Sequence, residues 1–423
     1  MMRRQRVGAK QSDQPLSSPR KHRPDYKIVL FAGLLVLIGI VVLFAISPYQ
    51  IHRLNEAGGN VDQNHYMLKQ GLYLVAGASA FVFAVMTPLT WWRRFAPKLL
   101  LTAISICVLL ALLGAAKVAP AMCYNGACRW YDFGVMTFQP AEFLKFAILL
   151  FASGFLGRRI KDGTVNDAQE TLVPMAIIIA VASLLVIGLQ KDMGTGLTII
   201  GMLASMIFVA GLRLRLIALS AGVAVLAGVM FILISPHRLE RVTTFVGSAS
   251  TDAASYHIDM AKLAIGSGGL VGRGLGNGVQ AFGYLPEALN DSIFAVLGET
   301  FGFVGLLGII TLFVALLYRI LRMADRLSDP TMRMIAAGVF GWIGTHVIIN
   351  IGAMTGILPL TGVTLPFLSF GGTSLLFVMM SLGLAYHVSQ YTSHQVERRE
   401  VDETSRSGRR FGRPRYTSAR SHQ

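Results

Sequence analysis

Residues 28–47 read IVLFAGLLVLIGIVVLFAIS, twenty positions without a charged side chain. At about 1.5 Å per residue, a helix of that length matches the ~30 Å hydrocarbon core of a bilayer. A basic stretch precedes the run and Ala45-Ile46-Ser47 closes it, which is the outline of a signal peptide. The run is long for one, and the chain repeats it. Apolar spans recur at about 70–90, 98–119, 140–157, 171–190, 194–211, 214–235, 291–322, 333–358 and 366–391. The first run therefore reads as an uncleaved helix, and the fold as an all-α polytopic membrane protein of about ten transmembrane helices. Composition agrees. Of 423 residues, 53% are hydrophobic and 14% charged, where a soluble domain carries roughly 25% charged. A soluble enzyme, a disordered chain and a disulfide-rich secreted scaffold are excluded.

The net charge of +16 is concentrated at the ends. Residues 1–27 hold eight Lys/Arg and two acids, and residues 392–423 hold eight Arg and four acids. Both tails are rich in Ser, Arg and Pro and read as disordered basic cytoplasmic segments, suited to anionic headgroups rather than nucleic acid. The membrane domain is then 28–391. Arg93, Arg94 and Lys98 lie between spans two and three, Arg158, Arg159 and Lys161 between four and five, and Arg213 and Arg215 between six and seven. Arg319, Arg322, Arg326 and Arg333 surround the link from eight to nine. By the positive-inside rule this set and both termini are cytoplasmic. The outer loops are then 48–69, 120–139, 191–193, 236–290 and 359–365, with 236–290 the large loop between helices seven and eight. A loop of that length is usually functional or separately structured.

Five outer segments could carry chemistry. In the first, Arg129-Trp130 precedes Gln139-Pro140-Ala141-Glu142-Phe143-Leu144-Lys145. Pro140 suits a first helical turn, Glu142 then meets the helix dipole, and Lys145 follows on the same face. The pair is either a structural ion pair or part of a polar site facing the bundle. Arg129 could contact a phosphate, and Trp130 a sugar or the membrane interface. Cys123 and Cys128 share this loop, and an oxidising compartment would permit a bridge between them; Cys107 lies in an apolar run as a packing residue. The second segment, Gln190-Lys191-Asp192, puts two charges in a tight turn, to neutralise each other or line a polar cavity.

The third segment is the long loop. It holds Arg241, Tyr256-His257, Lys262 and a run from Ala264 to Gly278 with seven glycines. No G-x-G-x-x-G register fits, and no βαβ context exists, so no nucleotide is expected. The glycines suit close backbone packing, and Arg241, Lys262 and Arg273 could neutralise a diphosphate. The fourth segment enters span eight through Leu285-Pro286-Glu287-Ala288-Leu289-Asn290-Asp291. Asp291 is a helix N-cap or a general base at the membrane–water boundary. Glu299 lies eight residues deeper as a buried polar partner. The fifth, Asn350 to Ser374, places two prolines and Gly371-Gly372 where irregular backbone must lie inside protein or beside a cavity.

Taken together and in order, Gly-Ala-x-Arg-Trp, Gln-Pro-x-Glu-x-x-Lys, Ala-Ile-Gly-Ser-Gly-Gly, Leu-Pro-Glu-Ala and Leu-Pro-Phe-Leu-Ser-Phe-Gly-Gly resemble the shape, elongation, division and sporulation (SEDS, FtsW/RodA) family over about residues 28–391. Leu-Pro-Glu-Ala and Gly-Val-Thr-Leu-Pro-Phe-Leu lean toward the division branch. The resemblance implies a peptidoglycan glycosyltransferase that polymerises lipid II in the bacterial cytoplasmic membrane. It also implies a class B penicillin-binding transpeptidase and other division or elongation proteins as partners. It matches Asp291 to the family's essential outer-loop aspartate and Trp130 to its important tryptophan. Arg129, Glu142, Lys145, Arg241, Lys262 and Glu299 match other motif positions. Three places depart from the usual pattern: Leu289-Asn290-Asp291 for His-Thr-Asp, Tyr256-His257 for Tyr-Gln, and Gln190-Lys191-Asp192 for Gln-Pro-Asp.

The expected chemistry is inverting attack of a sugar C4 hydroxyl, with Asp291 as base and basic residues on the leaving diphosphate. A divalent cation, Mg or Mn, could share the latter task. A lipid II flippase and a non-catalytic division scaffold are the rivals. The flippase predicts translocation without polymer, and the scaffold predicts that Asp291→Ala is harmless.

Overall fold

The computed structural model describes residues 23–391 apart from 57, 59–60, 125–126, 135, 214 and 216–252. The expected seventh span (214–235, all but Arg215), Arg241 and nearly all of both tails lie outside the described residues. Six long apolar helices come first: α1 (Tyr26–Glu56), α2 (His65–Met86), α3 (Leu89–Ala116), α4 (Pro140–Lys161), α5 (Ala168–Leu189) and α6 (Met193–Ala210). A shorter helix, α7 (Ala253–Ser267), follows in the long loop. The last three are α8 (Ile293–Asp325), α9 (Pro330–Met354) and α10 (Gly372–Val388). All but α7 are long and apolar enough to cross a membrane, nine among the described residues.

The helices divide by environment. α4, α9 and α10 are buried over most of their length, and they carry the interior polar side chains Glu142, Lys145, His346 and Asn350. α1, α2, α3 and α5 bury only a minority of their residues and turn Leu, Val and Phe outward. A lipid-facing helix must be apolar, whereas one enclosed by protein can hold paired charges. α9 packs on α4, α6 and α8, and α2 lies along α10.

The 120–139 loop forms an antiparallel sheet of β1 (Ala121–Tyr124), β2 (Ala127–Asp132) and β3 (Thr137–Phe138), in the order β1-β2-β3. Cys123 stands opposite Cys128 in the register and the two are joined by a disulfide. This sheet has no counterpart in the sequence reading, because its strands are too short to show alternation.

α8 is broken. Gly302 adopts φ 66° and ψ −168°, a conformation essentially confined to glycine. The break frees backbone groups, and the glycine-rich loop satisfies them: Arg273 N donates to Glu299 O (2.9 Å), Gly274 N to Thr300 O (3.0 Å), Phe303 N to Gly269 O (2.9 Å) and Val304 N to Leu270 O (3.0 Å). Such main-chain pairing requires the backbones to touch, so a Cβ on Gly268, Gly272 or Gly302 would fall on main-chain atoms. The last helix also differs from expectation. It begins at Gly372 rather than 366, because Leu365 to Phe370 is a buried apolar turn with Phe367 at φ 68°.

Candidate functional site

The N-terminal ends of α2, α4, α6, α8 and α10 converge with the small sheet at one end of the bundle. Between them lies a cavity of about 500 Å³, lined by Lys69, Arg129, Trp130, Glu142, Asp192, Glu287, Asp291 and His346 among others. That size is ordinary for a small-molecule site.

Asp291 is 7% exposed, and its Oδ1 is buried without a hydrogen-bond partner among the described residues. The N-cap position of α8 is Ser292, which speaks against the N-cap alternative for Asp291. Burial pushes the Asp291 carboxyl up to about 7, with the neighbouring Glu287 adding to it. The backbone N–H groups of Asp291 and Ser292 pull the other way. Its peptide is fixed from three sides. Asn350 Nδ2 donates to Asp291 O and to Val363 O, both at 2.7 Å. Phe370 N donates to Leu289 O at 2.8 Å. Ser292 Oγ donates to Pro286 O (2.7 Å) and accepts from His257 Nε2 (2.5 Å). Burial holds His257 below the ordinary imidazole range, so the neutral ring suits that role.

Glu142 and Lys145 form the expected ion pair at 2.7 Å beneath the cavity, with Lys145 completely buried. Lys145 Nζ also meets His346 Nε2 at 2.9 Å and lies 5.0 Å from the Trp342 ring centre. Trp342 Nε1 donates to the same His346 nitrogen (3.2 Å), so Nε2 is the acceptor and Nδ1 carries the proton toward Thr364 O at 3.2 Å. Glu142 Oε2 has no hydrogen-bond partner among the described residues.

Arg129 is held by the turn between α5 and α6, donating through Nε to Gln190 O (3.3 Å) and through Nη2 to Lys191 O (2.7 Å). Two of its five N–H groups are thus used among the described residues. Asp192 does not neutralise Lys191. It caps α6, accepting from Thr195 N (3.0 Å) and Thr195 Oγ1 (2.8 Å), and from Gln139 Nε2 at 3.0 Å.

The structure thus brings Asp291, Trp130, Arg129 and Glu142 to one cavity, with Lys145 directly beneath. Lys262 stands apart, exposed on α7 beside Gly356. Glu299 is fully buried, and its Oε1 accepts from Val279 N (2.6 Å) and Gln280 N (2.9 Å), anchoring the glycine-rich loop. Lys69 and His346 were missed. Each sits singly in an apolar span or at its edge, with no motif to mark it. Among the described residues no three His, Cys, Asp or Glu side chains converge as a metal site. The carboxylates of Glu287 and Asp291 would be only part of a coordination shell.

The whole chain carries the decisive comparison. Residues 26–394 match the FtsW, RodA and SpoVE family model, described as cell cycle protein. The chain belongs to this family. Stage V sporulation protein E of Bacillus subtilis (strain 168) is 33% identical over 377 residues, spanning 89% of this chain and 99% of that protein. The probable peptidoglycan glycosyltransferase FtsW of Aeromonas salmonicida (strain A449) is 31% identical over 391 residues, spanning 89% and 94%. A chain from a peptidoglycan synthase complex superposes with a TM-score of 0.70 at 23% identity, covering 86% of this chain and 97% of that one. The rod shape determining protein RodA of Thermus thermophilus gives 0.61 at 24%, covering 88% and 98%. At those identities the structural likenesses establish the family's fold.

Proposed function

We propose that this protein is a division-type peptidoglycan glycosyltransferase that polymerises lipid II, with Asp291 as its general base. One observation carries the reading. The buried carboxyl of Asp291, with one oxygen unpartnered, faces a cavity that also presents Arg129, Trp130 and Lys69, in a family whose FtsW relatives bear that activity in their names.

The C4 hydroxyl of the incoming sugar attacks the anomeric carbon of the growing chain. A new C–O bond forms with inversion, the bond to the diphosphate oxygen breaks, and the electron pair leaves with undecaprenyl diphosphate. The hydroxyl proton passes to Asp291. A carboxyl held near neutrality is a competent base at physiological pH, because it is ionised yet binds a proton well. Arg129 and Lys69 meet the charge on the leaving diphosphate. Trp130 offers an apolar face to a sugar ring. A divalent cation, Mg or Mn, would arrive with the diphosphate rather than in a protein cage, and the base step does not depend on it. The cavity end faces outward, both termini are cytoplasmic, and a class B penicillin-binding transpeptidase receives the polymer.

The test is polymerisation of lipid II by purified protein with its transpeptidase and a divalent cation, comparing wild type with Asp291→Asn and checking folding by thermal shift. Polymer from wild type alone is expected. Polymer from both at similar rates overturns the role of Asp291. Translocation of lipid II without polymer, by folded wild type, restores the flippase reading.

A further inference from the structure

A second cavity, of about 320 Å³, opens at the opposite end of the bundle, between the start of α3 and the end of α4. One wall is apolar: the Phe151 and Phe155 rings lie parallel, 7° between planes and 6.4 Å between centres. Gly154 lines the same cavity, and a Cβ built on it meets nothing within 4 Å, so the glycine leaves an open slot. The other wall is cationic, with Arg93, Arg158 and Arg159 lining the cavity against the single acid Asp162.

The three arginines are not equally committed. Arg93 Nη2 pairs with Asp329 at 3.0 Å, and its Nε is buried without a hydrogen-bond partner among the described residues. Arg159 pairs with Glu170 and lies over the Phe155 ring, 5.2 Å from its centre. Arg158 is exposed and has no acidic partner among the described residues. A slot with an aromatic floor that ends in surplus guanidinium groups at a membrane boundary has the polarity of an anionic phospholipid. An acyl chain suits the apolar part and a phosphate suits the arginines.

We propose that this cavity is a binding site for an anionic phospholipid of the inner leaflet. Arg158 takes the phosphate beside the Arg93 and Arg159 guanidinium groups that line the same cavity, and the Phe151–Gly154–Phe155 slot takes the upper part of one acyl chain. The site is independent of the cavity around Asp291 and of the reaction proposed there.

The experiment is native mass spectrometry and thermal shift on detergent-purified full-length protein. It is titrated with phosphatidylglycerol, with phosphatidylcholine of the same chains, and with inorganic phosphate. Phosphatidylglycerol is expected to bind and raise Tm more than phosphatidylcholine, and inorganic phosphate to do neither. Arg158→Ala removes the headgroup contact and Gly154→Leu fills the slot. Each should weaken phosphatidylglycerol binding about tenfold, Arg158→Ala by loss of a charge-assisted hydrogen bond and Gly154→Leu by exclusion of the acyl chain, with lipid-free Tm unchanged for Arg158→Ala. Lys98→Ala, an exposed neighbouring cation outside the cavity, should bind as wild type does. Equal binding of both lipids, or undiminished binding by Arg158→Ala and Gly154→Leu, overturns the proposal. An equal effect of inorganic phosphate overturns the acyl-chain part and reduces the site to an anion site.

Discussion

Asp291 combines burial with a nearby like charge, and both disfavour its ionised form. The consequence for pH follows. As a base it must be ionised, so the polymerisation rate should climb as pH rises to about 7 and level off above it. Asp291→Asn should lower the rate about a hundredfold or more, the usual weight of general base catalysis. Stability runs the other way. The unfolded carboxyl releases its proton near 3.8 and the folded one near 7. Wild type should therefore lose stability, relative to Asp291→Asn, between those values and no further above them. Thermal shift at pH 5 and pH 8 should show Asp291→Asn ahead by a few degrees more at pH 8. Glu142 and Lys145 make a different residue-scale case, since each leaves a buried charge when the other is removed. Lys145→Met alone should cost about 3–5 kcal/mol, and Glu142→Gln with Lys145→Met should recover most of it. Denaturation midpoints of the single and double variants check this. The cysteines offer a mass test: denatured, unreduced protein should take one alkyl group, on Cys107, and reduced protein three.

At the scale of elements, α8 and the glycine-rich loop are one unit. Gly302→Ala should destabilise the protein by about 1–3 kcal/mol, because alanine avoids that backbone conformation and its Cβ would meet the Leu270–Gly272 main chain. A lowered Tm in detergent checks it. The elements also show what could be read from the chain. Each described span with a long uncharged run was legible, since a bilayer imposes length and apolarity together. The Glu142–Lys145 pair was legible because three residues along a helix is one face. The start of α10 was not, because Pro366 to Phe370 is as apolar as a helix yet folds as a turn, and hydropathy does not distinguish the two. The distance of Lys262 from the cavity was hidden for a similar reason. Its place depends on which side of α7 faces α8, and a short helix between turns does not announce that. His346 and Asn350 lie mid-helix in α9, where their roles depend on partners remote in sequence.

The whole molecule has two chemically distinct ends. One gathers Asp291, Arg129 and Trp130 around a cavity, and the other gathers Arg93, Arg158 and Lys161. If the first faces outward, a membrane-impermeant thiol reagent on intact cells should label Gln63→Cys and spare Lys161→Cys. Cys107 is buried and the other two cysteines are bridged, so the background is low. The break in α8 has a consequence for how the protein is made. Residues 303–325 alone reach about 35 Å, enough to span the bilayer, and they turn Phe303, Val304, Leu307 and Val314 outward. Residues 293–300 are buried on all sides by protein. The membrane-insertion machinery can therefore place the lower part of α8 on its hydropathy, while the turn that bears Asp291 has nothing to rest on until α9 and the 359–371 segment have been synthesised and have packed against it. On the proposed reading, catalytic competence is then acquired late in biogenesis, once α9 and the 359–371 segment are in place.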